Sequence, residues 1–140
     1  MKRILITFAL FAIAADSPNA IVKYRQTVMK SMGSHMMAMS LVVKKEITPR
    51  AQLAAHAESI HALSATIPEM FPAPDKTRSA AKPEIWTRFD EFKSLSARLE
   101  RESATLSQLA AKRDWKAFDA QFARVAKACD ECHDRFRVQD

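Results

Sequence analysis

The run WKAFDAQFARVAKACDECHDRF, from Trp115 to Phe136, decides how the rest of the chain is read. Trp115, Phe118, Phe122, Val125, Cys129, Cys132 and Phe136 recur at alternating steps of three and four. That spacing lays one apolar stripe along an α-helix, the side it buries against its neighbours. Both cysteines fall on the stripe, so whatever they hold is expected inside the fold.

Working outward, the same period appears three more times. Pro83, suited to the first position of a helix, precedes Ile85, Phe89, Phe92, Ser96, Leu99, Ser103 and Leu106, and a short break near Lys112 ends that stripe. Leu53, Ala57, Ile60, Ser64 and Ile67 form another, followed by a loop marked by Pro68, Pro72 and Pro74 that runs to about Lys82. The first stripe is Val22, Arg25, Met29, Met32, Met36, Met39 and Val43, broken around Pro49. Gly33 is the single glycine of 140 residues, which argues against many tight turns between short strands. The fold class expected is all-α: an antiparallel up-down four-helix bundle of stripes roughly 20–25 residues long. One position resists the pattern. Arg25 sits where an apolar residue is expected, and a guanidinium is costly to bury alone, so it requires an anionic partner or an escape to solvent.

Upstream of the bundle, Lys2 and Arg3 precede the uncharged run Ile4 to Ala14, and Ala12-Ile13-Ala14 offers small residues at a cleavage site. The run is shorter than the roughly 20 residues a membrane-spanning helix needs, so residues 1–14 read as an export signal cut after Ala14, or alternatively after Ala20. The bundle is then expected over residues 21–138, exported, most simply to a bacterial periplasm and without membrane attachment. Losing Lys2 and Arg3 takes the formal charge from +6 to +4. The charge is scattered, with no basic cluster interleaved with aromatics, which excludes nucleic acid as a partner and leaves a weakly basic surface suited to acidic proteins.

Cys129-Asp130-Glu131-Cys132-His133 is a C-x-x-C-H motif, the attachment signature of a c-type haem. Two thiols one helical turn apart reach the two vinyl groups on one haem edge, and the next residue brings an imidazole beneath the iron. A Cys129–Cys132 disulfide in a non-haem helical domain is the competing reading for an exported chain. A thioredoxin-like pair lacks its βαβ context, and His35, His56 and His61 have no metal-ligand spacing to the cysteines. Counted along antiparallel helices at about 1.5 Å per residue, His133 near the end of the last and Met29 near the start of the first stand at levels a few ångströms apart. Arg25 lies one turn nearer the same edge, where a haem propionate would supply its anion.

Three segments together give the chain a strong resemblance to the cytochrome c′ family, including its low-spin cytochrome c-556 branch. They are Ile21-Val22-Lys23-Tyr24-Arg25-Gln26, Lys82-Pro83-Glu84-Ile85-Trp86, and Cys129 through Arg137. The resemblance implies a four-helix bundle with one covalent haem, thioethers at Cys129 and Cys132, His133 as proximal iron ligand, propionate contacts at Arg25 and Gln26, and Arg137 flanking the proximal face. It divides at Met29. In the low-spin branch a methionine here is the distal ligand of an electron carrier; in the high-spin branch the position is uncoordinated and the iron binds nitric oxide or carbon monoxide. Val28-Met29-Lys30 and His35-Met36-Met37 resemble the first, Tyr24-Arg25-Gln26 the second. The expectation taken is a one-electron carrier with His133/Met29 iron, with the gas-binding protein as alternative and no enzyme activity. Redox protein partners are implied, as is a homodimer through the first two helices, with Arg50, His56 and His61 facing either solvent or a partner.

Overall fold

A computed structural model describes residues 16–72 and 79–139 of the chain. The expected signal segment 1–14 lies outside the described residues. The helices are α1 (Pro18–Val43), α2 (Leu53–Ser64), α3 (Glu84–Thr87), α4 (Phe89–Ala111) and α5 (Trp115–Phe136), with a 3₁₀ turn at Ile67–Met70. Among the described residues there are no strands, only an isolated bridge between Ala81 and Arg137. Helices α1, α2, α4 and α5 carry the four stripes of the expected bundle.

Local chemistry sets the helix ends. Ser17 Oγ accepts from the Ala20 amide with Pro18 in the first turn, and Asp114 Oδ1 accepts from the Ala117 amide, satisfying donors that have no partner inside the helix. With no glycine to spare, the chain leaves α1 and α4 through left-handed backbone at Lys45 (φ 64°) and Arg113 (φ 56°). The alternative signal cut after Ala20 falls within α1.

Two expectations are corrected. The second stripe is not one long helix: α2 has 12 residues, and Ile67 instead sits on the 3₁₀ turn. Pro68 restricts the residue before it and brings no amide hydrogen to continue the ladder. The third stripe is two helices, because Arg88 leaves helical geometry at φ −125°, ψ 42°, and Pro83 caps α3 rather than occupying its first turn. This break lets Ile85 bury to 2 % exposure and brings the Trp86 ring to 6.3 Å from that of Phe71.

The core is built from Met32, Met39, Val42, Leu53, Ala57, Ile60, Phe92, Leu99, Leu106, Phe118 and Val125, all buried. Packing runs in order, α1 on α2, α2 on α4 and α4 on α5, and among the described residues α1 and α5 barely meet. At one end of the bundle the segment after the 3₁₀ turn joins the end of α5. Lys82 N donates to Phe136 O, and Val138 N donates to Ala80 O.

Candidate functional site

Helix α5 presents two faces. Phe118, Gln121, Val125, Ala128 and Phe136 are buried against the bundle. Trp115, Phe122, Cys129 and Cys132 stand beside that register, half-buried against the edge of the core. The cysteines are therefore not at the centre of the buried stripe, as expected, but on its flank. The rotation of the helix is fixed from α4, where Arg98 pairs with Glu131 and Glu91 pairs with Arg135. The first of these bonds turns Glu131, within the C-x-x-C-H segment, toward α4.

Cys129 and Cys132 are unbridged. Burial pushes both thiols up to about 11, with the Asp130 charge adding at Cys129 and Arg135 opposing at Cys132. At neutral pH they are thiols, unlike the low-pKa thiolates of redox pairs. His133 is half-buried, and its pKa is lowered by burial and by Arg137, against the opposing pull of Asp130 and Asp134. Its imidazole is thus held toward the neutral form that ligates metals. Among the described residues no three His, Cys, Asp or Glu side chains come together as an all-protein metal site.

The facing wall is α1. Arg25 is buried at 4 % exposure. Its guanidinium donates to Met70 O (3.4 Å) and Ser79 Oγ (3.2 Å) and lies 4.5 Å from the Phe71 ring centre. It has not escaped to solvent; Met70 O, Ser79 Oγ and the Phe71 face are among the groups that receive it. Gln26 is exposed. Val28 takes the fully buried position expected of Met29, which is half-buried beside it. His35 contacts His56 on α2, and Met29 lies about 120° around the helix from His35 at 3.6 residues per turn, which places Met29 on the edge of α1 away from α2.

A ladder of rings connects the two walls. Arg25 lies over Phe71, Phe71 meets Phe92 edge-on at 4.8 Å, and Phe92 meets Phe136 edge-on at 5.5 Å. Met29 is one turn inward of Arg25, and His133 is about one turn inward of Phe136 on an antiparallel helix, so they stand within about a turn of one another. Trp86, beside Phe71, has a buried Nε1 with no hydrogen-bond partner, which is unusual for an indole donor. Two half-covered thiols, a neutral imidazole, a buried cation and an orphaned donor lie along the side of the bundle where α1 and α5 barely meet. These residues fit a covalently held haem.

Some expected neighbours stand elsewhere. Arg137 caps α5 through its amide, which donates to His133 O, and its residue is exposed. Arg50, His56 and His61 do not face solvent freely. Arg50 grips Asp119 with two hydrogen bonds (2.9 and 3.2 Å), His56 pairs with His35, and His61 buries its Nδ1. Phe71, Trp86 and Arg98 were not singled out by sequence for the site. Their roles depend on contacts between distant segments, and only the aromatic content around Pro72 and Pro83 hints at them.

The family model for cytochrome c′ matches residues 20–137. Cytochrome c′ of Pararhodospirillum photometricum is 33 % identical over 123 residues, covering 86 % of this chain and 98 % of its own. A cytochrome c-556 of Agrobacterium tumefaciens is 31 % identical over 120 residues, covering 84 % and 97 %. Among solved structures, the nitric oxide complex of a mutant cytochrome c prime from Alcaligenes xylosoxidans superposes with a TM-score of 0.82 at 32 % identity, over 91 % of this chain and all of that one.

Proposed function

This chain belongs to the cytochrome c′ family, whose members carry one covalent c-type haem, and from that premise we propose that it is an exported one-electron carrier with Met29 on the distal side of the haem. The observation that carries this reading is the open seam between α1 and α5, with Met29 on one wall within about a turn of His133 on the other. In it, Cys129 and Cys132 hold the haem by thioethers, and His133 offers its neutral imidazole as the proximal ligand. Arg25 and the Trp86 indole supply donors for the propionates, with Gln26 at the exposed rim, and Arg137 flanks the proximal side. Bound there, the haem supplies an iron that changes oxidation state by one electron, at a potential set by ligand choice and burial. Redox proteins with acidic surfaces are its partners, the periplasm is its compartment, and no catalytic role is proposed. A homodimer through the outer face of α1 is supported by the shallow apolar hollow of Gly33, Ser34, Met37, Ala38 and Leu41, with Met37 63 % exposed.

A second reading is favoured by a specific finding: solved relatives of this chain hold nitric oxide. In it Met29 stays uncoordinated, and the distal side takes nitric oxide or carbon monoxide. Ferric and ferrous absorption spectra of the mature protein divide the two. The carrier reading expects low-spin bands that are indifferent to carbon monoxide, and Met29→Ala should convert them to high spin. High-spin bands in the unmodified protein, with carbon monoxide binding on reduction, transfer the function to the second reading. Colourless protein from a host with a working haem-attachment system would falsify both.

A further inference from the structure

His35 on α1 and His56 on α2 meet ring to ring, with their Nδ1 atoms 2.9 Å apart and ring centroids 5.2 Å apart. Across a 2.9 Å gap the centroids reach that separation only when the two nitrogens point nearly straight at one another. This is the arrangement of an N–H···N hydrogen bond. Two rings chelating one metal ion would instead converge at an angle and bring their centres closer. One Nδ1 carries the hydrogen and the other must be bare, so the contact holds a single proton between the rings.

Nothing on either helix is placed to accept a second proton's charge. Within α1 the charged residues are Lys23, Arg25 and Lys30, and there is no Asp or Glu. The acidic residue of α2, Glu58, accepts a hydrogen bond from Ser107 on α4. His61, also on α2, buries its own Nδ1 without a partner. Beyond the helix ends, Arg50 is taken by Asp119, and Lys44, Lys45 and Glu46 are exposed. Burial lowers the His56 pKa, and the charge of His35 adds to it.

The consequence for α1 follows from how it is held. It packs on α2 and on the 3₁₀ turn and barely meets α5, so its contact with α2 is its main attachment. We propose that His35 and His56 are a proton-operated latch: with one shared hydrogen they hold α1 against α2, and protonation of both rings, the donor at its outer Nε2 and the acceptor at Nδ1, sets two N–H groups of two cations against each other and releases the middle of α1. The released segment adjoins Met29, less than two turns away, so the latch couples acidification to the distal wall of the candidate haem site. That last coupling rests on the function proposed above; the latch itself does not.

The sign is fixed by linkage. A histidine whose pKa is lowered by packing takes up a proton more readily once the contact opens, so the closed state is favoured above the ordinary histidine range and weakens as pH falls through it. The test uses the mature holoprotein and three variants, His35→Gln, His56→Gln and the double replacement, whose amides hydrogen-bond without titrating. Hydrogen exchange of peptides covering residues 28–40 is followed by mass spectrometry from pH 8 to 5, after correction for intrinsic exchange, together with the haem absorption bands. The unmodified protein is expected to gain about tenfold in α1 exchange across that range, and all three variants should lose the step while α4 and α5 stay unchanged. A flat α1 profile, or a step that survives in the double variant, overturns the latch. An exchange step lost in the variants with haem bands unmoved upholds the latch and shows that its release does not reach the distal wall of the haem site.

Discussion

Helix α5 is bordered by two seams of opposite character. Against α4 it buries Phe118 and Val125 completely, bonds Gln121 Nε2 to Glu102 at 2.6 Å, and is pinned by Arg98 to Glu131 and Arg135 to Glu91. Against α1 it is closed at the far end, where Arg50 reaches from before α2 to Asp119 and lies 5.7 Å from the Trp115 ring centre. Toward the near end Phe122, Cys129 and Cys132 remain half-covered. One seam is closely packed; along the other, helices α1 and α5 barely meet. The difference separates what stabilises the fold from what the fold is for.

The largest expected effect breaks the open seam outright. Replacing both Cys129 and Cys132 with Ala should abolish covalent haem, read as loss of haem staining after denaturing electrophoresis. The buried α4 seam should still form, read as retained helical circular dichroism. If colour survived denaturation in the double variant, the assignment of the open seam to these thiols would be wrong.

A core truncation tests the other side of the comparison. Phe118 has 0 % exposure, and Phe118→Ala should cost about 3–5 kcal/mol in denaturant unfolding whether or not haem is attached. Phe122→Ala, one turn along on the half-covered face, should lower the stability of the haem-free protein much less than that of the holoprotein. Equal losses from Phe122→Ala in the two forms would mean that the seam between α1 and α5 is already closed by protein.

How far the sequence carried this reading divides along the same line. The bundle was legible because a three-four stripe constrains helices locally, and the C-x-x-C-H motif was legible because its chemistry is contained within five residues. The stripe placed Met29 and the cysteines at the centre of the buried face, where the structure has Val28 and Ala128 instead. A sequence stripe has a width of about 100°, so it does not distinguish its middle from its edge, and a seam lined by edges is the feature that matters here. The break at Arg88 and the short α2 escaped for a related reason: both lie beside long-range contacts, Phe71 on Phe92 and Lys82 N donating to Phe136 O, that no local pattern records. Arg25 was correctly marked as anomalous, but its partners, Met70 O and Ser79 Oγ, lie 45 and 54 residues away. Distances of that kind are not written in local pattern.

Arg50→Ala sharpens the far end of the open seam. The pair is part-exposed, at 23 % and 34 % for Arg50 and Asp119, so solvent screens it; its two-point geometry still places it near the upper range for such pairs. A loss of about 1 kcal/mol is expected, falling at high salt. Asp119→Ala should match it, and the double variant should lose no more than either alone. Additive losses would show that the two side chains act separately and that this end of the seam is held by Trp115 packing.

The smallest effect concerns the closed seam and pH. Hydrogen bonding from Arg135, with Arg88 adding to it, lowers the Glu91 pKa below the ordinary glutamate range. A carboxylate depressed in the folded state contributes stability that is present above its unfolded pKa and is lost as pH falls toward the folded one. Glu91→Gln should therefore leave stability near pH 7 slightly reduced and flatten the acid side of the profile, with the two curves converging below about pH 4. Because the group is solvent-exposed, the gap should also shrink as salt is raised. A profile that keeps its full acid slope in Glu91→Gln would show that Glu91 does not govern acid unfolding. The closed seam would then rest on the apolar contacts of Phe92, Leu99, Phe118 and Val125 and on the bonds of Gln121 and Arg98.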